Sequence, residues 1–143
     1  MGPLKGIRVL DLSRLLPGPV CTHLLTRMGA IVTKVEGKGI GQSDYVRDLP
    51  PALHFKDRKH GALFESLHCG KLGLSLDLKH IQGVNILKHI IKDYDVVVEG
   101  NRPGVMDRLG VGYEDLKKMN DKIIYCSLTG YGQTGPYAQK AGI

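Results

Sequence analysis

Residues 7–35 have the sequence IRVLDLSRLLPGPVCTHLLTRMGAIVTKV, and this stretch decides the fold class. Residues 7–12 and 30–35 are short apolar runs typical of strands. Pro17-Gly-Pro19 can begin a helix between them, because proline is tolerated in a first helical turn, and Gly29 can end it. A strand, a helix and a second strand in this order predict a parallel pair. The apolar face predicted for the helix consists of Val20, Leu24, Leu25 and Met28.

Three further strands are predicted along the chain. Residues 74–78 alternate between apolar and polar side chains, and residues 123–128 form the last strand. Residues 95–98 are a short apolar run of the kind that is buried on both faces of a parallel sheet.

Helical segments separate these strands. Apolar residues recur at helical spacing between residues 84 and 94, and shorter helices are predicted over 103–109 and 113–120. Residues 37–66, with Pro50-Pro51 in the middle, predict a long irregular loop. The sequence therefore predicts an α/β fold, a Rossmann-like parallel sheet with helices on both faces.

In a parallel sheet, ligands bind beyond the carboxyl ends of the strands. Here those ends are residues 12–19, 36–41, 99–104 and 129–135, and three of the four are rich in glycine and proline. We therefore expect the binding site at this edge of the sheet.

The composition narrows the class of ligand. The net charge is +6, but lysine and arginine are spread along the chain, which fits a phosphate-bearing small molecule at least as well as nucleic acid. Aromatic residues are few and no basic face is clustered, so a nucleic-acid module is the least favoured class. No apolar run is long enough to span a membrane.

Cysteine and histidine patterns exclude several kinds of site. Three distant cysteines argue against a disulfide framework or a zinc site and favour a reducing intracellular compartment. The six histidines have no metal-ligand spacing, so no metal site is predicted. No strong nucleophile–base motif is present, and no catalytic residue is assigned within the chain.

Two glycine-rich segments have alternative interpretations. Gly130-x-Gly132-x-x-Gly135 matches a dinucleotide fingerprint, but residues 136–140 lack the helical periodicity that such a site requires, so an NAD site is disfavoured. Gly37-Lys-Gly-Ile-Gly41 favours a flexible turn, with a backbone anion nest as the alternative. Arg102 and Arg108 follow a strand end and are candidates for binding phosphate, with a solvated surface pair as the alternative.

Several segments together resemble the family III coenzyme A transferases, which include formyl-CoA and carnitine CoA-transferases and α-methylacyl-CoA racemase. The match covers nearly the whole chain, in order and with the family's spacing. The matching segments are residues 4–13, 17–19, 28–36, 74–79, 95–99, 102–104, 109–113 and 124–136.

The resemblance implies a coenzyme A site. Its residues would be Leu76, Asp77, Leu78 and Lys79, together with Arg102, Arg108, Ala141 and Gly142. The three cations would meet the phosphates, and Leu15, Leu16 and Leu76 would form apolar walls. Two segments depart from the family pattern: Gly37-Lys38 replaces Arg-Pro, and Gly70-Lys-Leu-Gly73 replaces Asn-Lys-Arg-Ser.

The resemblance also implies an activity. Family members transfer CoA between carboxylic acids or racemise 2-methylacyl-CoA, with acyl-CoA as substrate, without a covalently bound cofactor, and as homodimers. We expect residues 1–143 to be the N-terminal portion of the large domain, with the C-terminal half and the catalytic residues absent. The chain would then be inactive alone. Its residues do not distinguish a transferase from a racemase, because the family's catalytic residues would lie outside it. The alternative is a non-catalytic, CoA-binding or dimer-modulating short isoform.

Overall fold

The computed structural model describes residues 2–38, 43–55 and 58–142. The strands are β1 (Arg8–Asp11), β2 (Ile31–Glu36), β3 (Ala52–Phe55), β4 (Arg58–Gly61), β5 (Leu72–Ser75), β6 (Val96–Glu99) and β7 (Ile124–Ser127). The α-helices are α1 (Pro17–Arg27), α2 (Ala62–His68), α3 (Ile81–Ile90), α4 (Val105–Arg108) and α5 (Tyr113–Lys117), and 3-10 helices span Tyr45–Asp48 and Ile91–Asp93.

Five strands form the main sheet, in the order β5-β2-β1-β6-β7. Every neighbouring pair is parallel. The chain passes from β1 to β2 on one side of β1, whereas β6 lies on the other side. The predicted α/β class with a parallel sheet is confirmed, and the strand order reverses direction at β1 and β6.

Side chains from the sheet enter two separate cores, because successive residues of a strand point to opposite faces. Leu10 and Val97 pack with Leu87, Ile91 and other residues from α3, α4 and α5 on one face. On the opposite face, Val9, Val32 and Val98 pack with partly buried residues that include Leu25 of α1. The prediction of helices on both faces is confirmed.

The apolar face predicted for α1 points mostly to the surface. Val20, Leu24 and Met28 are 41%, 53% and 47% exposed, whereas the buried positions of α1 are Gly18, Pro19 and Thr22. The helix lies so close to the β1–α1 turn that a Cβ on Gly18 would overlap the side chain of Ser13. This close approach, together with a buried hydrogen bond made by Thr22, selects the side of α1 that faces the sheet. Gly29 ends the helix at φ +101°, as predicted.

Residues 37–66 are more regular than predicted. Their described part contains the 3-10 helix, the antiparallel pair β3 and β4, and the start of α2. These pieces are each too short to show a hydrophobic period, so the sequence pattern did not separate them from a loop.

The strand predicted over residues 74–78 begins two residues earlier and ends three residues earlier, at Leu72–Ser75. The Leu76 amide still donates to the Glu36 carbonyl oxygen at 2.8 Å, so residues 76–79 leave the sheet as a turn. As β5 and β7 lie at the two edges of the sheet, Leu72 and Ile124 are about 59% and 62% exposed.

Candidate functional site

Two cavities open at the carboxyl edge of the sheet, where the strand order reverses. The strand-end cavity has a volume of about 220 Å³ and lies beyond β1, β2 and β5. Its lining residues are mainly apolar, with Arg14, Glu36, Asp77, Lys79 and Asn101 as polar members. The glycine-loop cavity, of about 400 Å³, lies between the β1–α1 turn, the segment after β6 and residues 128–142.

Residues 76–79 lie together in the wall of the strand-end cavity. Leu76 is buried, and the backbone amide of Lys79 donates to Asp77 Oδ1 at 2.8 Å. This bond closes the turn that precedes α3. The Lys79 side chain is exposed at the rim of the strand-end cavity. The segment therefore offers apolar side chains inside the cavity and a cation at its mouth.

Arg102, Ala141 and Gly142 line the glycine-loop cavity. A Cβ built on Gly142 would lie 2.7 Å from the Cα of Gly130, so the two backbones are in close contact. This contact folds the segment that ends at residue 142 back over the end of β7. Arg102 and Ala141 are therefore brought together although they are far apart in sequence.

Arg108 is not among the residues that line either cavity. It is the last residue of α4, its side chain is exposed, and its guanidinium lies beside Gly104. Leu15 lines the glycine-loop cavity, whereas Leu16 is 43% exposed. The structure thus brings together most of the residues expected to bind coenzyme A, with Arg108 at the periphery.

Arg14 and Asn101 line both cavities, and sequence reasoning did not select either of them. They follow β1 and β6, the adjacent strands at which the sheet order reverses. The backbone amide of Asn101 donates to Glu99 Oε2 at 2.7 Å, and its Nδ2 lies 3.2 Å from Met106 Sδ. The position of a residue just beyond a central strand end is the sequence signal that could have indicated them.

A third cavity, the tyrosine cavity, is lined by Tyr113 and Tyr125 and shares Arg102 and Pro103 with the glycine-loop cavity. Within the described residues, the buried hydroxyl of Tyr125 has no hydrogen-bond partner. Burial, with the charges of Glu99 and Asp107, raises the pKa of Tyr125. The phenol is neutral near pH 7, as an ordinary tyrosine is, and no described residue accepts its hydrogen bond.

A buried network of charges lies beneath the β1–α1 turn, and nothing in the sequence pattern predicted it. Asp11 is fully buried; its carboxylate accepts the Ser13 amide at 3.0 Å and the Thr22 hydroxyl at 2.6 Å. Lys71 Nζ lies 3.1 Å from Asp11 Oδ2. Burial alone would raise the pKa of Asp11, but the charges of Lys34 and Lys71 and the hydroxyl hydrogen bonds outweigh it and lower that pKa.

The second half of this network is centred on Asp44. Its carboxylate is fully buried and lies 3.7 Å from Lys34 Nζ and 3.9 Å from His68 Nε2. Burial and the charges of Lys71 and Lys34 lower the pKa of His68 to about 3, so the imidazole is neutral at pH 7. Arg47 closes the network at the surface by bonding both carboxylate oxygens of Glu36, at 2.9 and 3.1 Å.

In the part of the chain that the structure describes, no group of three or more His, Cys, Asp or Glu residues could hold a metal ion. Among the same residues, no helix is both long and apolar enough to cross a bilayer. The glycine-rich turn of residues 37–41, considered as an anion nest, lies largely outside the described residues.

Residues 4–143 match the sequence pattern that defines CoA-transferase family III. The chain belongs to this family. It is 41% identical, over 99% of its length, to an acyl-CoA transferase of Fusarium pseudograminearum, of which the match covers 32%. It is 42% identical, also over 99% of its length, to the succinyl-CoA:glutarate CoA-transferase of Mus musculus, of which the match covers 31%.

A solved structure is also similar to the chain over nearly its whole length. The chain is similar to a CAIB/BAIF family protein from Brucella suis, with a TM-score of 0.91 and 37% identity over 99% of this chain and 37% of that protein. The chain therefore spans about a third of the length of the relatives that it matches.

Proposed function

We propose that this chain binds the nucleotide part of an acyl-CoA along the carboxyl edge of its sheet, within a protein that transfers CoA between carboxylic acids. One observation carries the proposal: Arg14 and Asn101 line both the strand-end cavity and the glycine-loop cavity. The two groups of residues that resemble a coenzyme A site, 76–79 and 141–142, thereby belong to one continuous surface.

Cations are spaced along that surface. Lys79 is at the rim of the strand-end cavity, Arg14 is where the two cavities meet, and Arg102 lines the glycine-loop cavity. Coenzyme A carries a diphosphate and a ribose phosphate, and guanidinium groups bind phosphate oxygens with two parallel hydrogen bonds. We assign the diphosphate to Arg14 and Arg102, and only a peripheral contribution to Arg108.

Apolar side chains complete the strand-end cavity. Leu12, Leu76 and Met106 are buried in its wall, and Val105 and Leu109 add partly buried surface. A flat aromatic base or an alkyl amide chain removes apolar area from water when it enters such a cavity, at roughly 25 cal/mol per Å². This wall supports binding of the uncharged parts of coenzyme A.

The substrate class is proposed from the relatives. Because one of them is named a succinyl-CoA:glutarate CoA-transferase, we propose the CoA thioester of one dicarboxylic acid as donor and a second dicarboxylic acid as acceptor. The described residues contribute binding and orientation, and no residue of this chain is assigned to the covalent step. CoA binding without transfer by the whole protein would favour the alternative, a non-catalytic CoA-binding or dimer-modulating protein.

Isothermal titration calorimetry of the purified 143-residue chain with free CoA tests the binding site. We expect saturable binding that weakens with added salt, because phosphate contacts are screened by ions. Lys79→Ala and Arg102→Ala should each weaken it about tenfold, the worth of a hydrogen bond to a charged group. No detectable heat at millimolar CoA would overturn the proposal.

Lys122→Ala is the matched control for these variants. Lys122 is also exposed, but it precedes β7 and so lies at the amino edge of the sheet, opposite the two cavities. The control removes the same charge from the chain as Lys79→Ala does. Equal weakening of CoA binding by Lys79→Ala and Lys122→Ala would mean that the affinity depends only on the net charge of the chain. The assigned site would then be wrong.

We also propose that the whole protein is a homodimer, as the family resemblance implies. The exposed apolar side chains of α1 support a protein contact, because Val20, Leu24 and Met28 follow one another at four-residue spacing. Sedimentation velocity of the whole protein tests the dimer. A monomer at all concentrations up to the millimolar range would exclude it.

A further inference from the structure

Leu15, which lines the glycine-loop cavity, has an unusual backbone conformation. Its φ angle is +67°, and among the described residues it is the one non-glycine residue with a positive φ. A leucine side chain disfavours this left-handed region, so the surrounding structure has to hold the turn in place. Leu15 directly follows Arg14, the cation that lines both cavities.

Asp44 holds the turn on one side of Arg14. Its carboxylate oxygens lie 3.2 and 3.3 Å from the backbone nitrogen of Leu15, which donates to them. Asp44 is itself fixed, because it is fully buried, accepts the Val46 amide at 3.3 Å and donates its own amide to Glu36 Oε2 at 3.1 Å.

Lys34 holds the turn on the other side of Arg14. Its Nζ donates to the carbonyl oxygen of Ser13 and also lies 3.7 Å from Asp44 Oδ2. The Ser13 carbonyl belongs to the peptide before Arg14, and the Leu15 amide belongs to the peptide after it. The buried ion pair of Lys34 and Asp44 therefore makes hydrogen bonds to both peptide groups that flank the Cα of Arg14.

We propose that Lys34 and Asp44 are positioning residues that fix the backbone of Arg14 where the two cavities meet, so that its guanidinium can bind the diphosphate of coenzyme A. The ligand part of this inference rests on the proposed function. Neither Lys34 nor Asp44 lines the strand-end cavity or the glycine-loop cavity, so both act through Arg14 rather than by touching the ligand.

The variant Asp44→Ala tests, without any ligand, whether Asp44 holds the backbone of the turn at Leu15. It removes the acceptor of the Leu15 amide, so hydrogen exchange at that amide should become at least about tenfold faster, the change expected when a charge-assisted hydrogen bond is lost. Asp48→Ala is the control, because Asp48 is exposed at the end of the 3-10 helix for which Asp44 is the N-cap. Unchanged exchange at Leu15 in a folded Asp44→Ala chain would overturn the inference.

CoA titrations test the ligand part. Arg14→Ala and Asp44→Ala should each weaken CoA binding about tenfold, and the double variant should bind no more weakly than Arg14→Ala, because residues that act through one group are not additive. Additive losses in the double variant would overturn the assigned route through Arg14.

Two further variants keep the test decisive. If Asp44→Ala does not fold, Lys34→Met/Asp44→Leu removes the buried pair as a unit, which proteins tolerate better than one unpaired charge. It should give the same fast exchange at Leu15. Asp44→Asn keeps an oxygen acceptor and should restore part of the protection.

Different results would overturn the proposed CoA binding and the proposed role of Lys34 and Asp44. Absence of CoA binding by the unaltered chain would overturn the proposed function, and with it the diphosphate role of Arg14. The exchange rate of the Leu15 amide would still decide whether Lys34 and Asp44 hold the turn.

Discussion

Lys71 Nζ lies 3.1 Å from Asp11 Oδ2, and both side chains are almost fully buried although the residues are 60 positions apart. Lys71 Nζ also lies 2.7 Å from the Thr22 hydroxyl and 3.1 Å from the Pro19 carbonyl oxygen. One ammonium group therefore ties the end of β1 to α1. Burial lowers the pKa of Lys71, and Asp11 opposes that shift.

Lys71→Met should lower the free energy of unfolding by about 3 kcal/mol, because it leaves Asp11 buried without a counter-ion on this side. Urea denaturation measures the change. Lys122→Met, at an exposed position, should change it by less than about 0.5 kcal/mol. Equal unfolding midpoints for Lys71→Met and the unaltered chain would contradict the role assigned to the pair.

Gly18→Ala should also destabilise the chain, by about 2 kcal/mol, because its Cβ would overlap Ser13 beneath the β1–α1 turn. Gly73→Ala is the matched control, since a Cβ there meets nothing within 4 Å and Gly73 has no positive φ. Thermal unfolding of both variants distinguishes steric overlap from a general effect of losing glycine. A Gly73→Ala variant as unstable as Gly18→Ala would mean that overlap is not the cause.

Leu87→Ala should cost about 3 kcal/mol, because Leu87 is fully buried in the core between α3 and the sheet. The adjacent Ile86 is 48% exposed, so Ile86→Ala should have a small effect on the free energy of unfolding. Denaturation curves of the two variants compare an inward and an outward position of one helix. Similar losses at both positions would contradict the orientation of α3.

Stability should fall as the pH is lowered from 6.5, because of His68. In the folded chain the pKa of His68 is lowered from 6.5 to about 3, so the unfolded chain binds more protons between these values. The free energy of unfolding then decreases toward acid pH with a slope of at most about 1.4 kcal/mol per pH unit from this residue. Asp11 and Glu36, whose pKa values are also lowered despite burial, add to the loss at still lower pH.

His68→Phe should flatten the pH dependence between 6.5 and about 4.5, where the aspartate and glutamate groups contribute little. Phenylalanine keeps the contact with the Phe64 ring, whose centroid lies 4.4 Å from that of His68. Thermal melts at a series of pH values measure the slope. His89→Phe, at an exposed position of α3, should retain the original slope.

The sequence predicted the parts of the fold that depend on hydrophobic periodicity. The main parallel sheet and the helical spacing from Val84 to Tyr94 are confirmed, because buried strands and amphipathic helices have strong local patterns. The prediction of which side of α1 faces the sheet was wrong except at Leu25. A buried hydrogen bond of Thr22 and the close approach of Gly18 to Ser13 determine that side, and hydropathy measures neither.

The site could be predicted less completely than the fold. The strand-end rule indicated the edge of the sheet at which the two cavities open, and residues 76–79 line one of them. Asp44 and Lys34 were missed because their partners, Leu15 and Ser13, lie about 20 to 30 residues away in sequence. Polar contacts of this range depend on the tertiary structure and leave no periodic signal.

The sheet also has consequences away from its carboxyl edge. Within the described residues, no strand pairs with the outer sides of β5 and β7, so each presents unbonded amide and carbonyl groups beside an exposed Leu72 or Ile124. Such borders are templates for adding a further strand, from the same chain or from another molecule. A strand added at either border would widen the sheet. It would leave Arg14 and Asn101, beyond the ends of the central strands, accessible to a nucleotide.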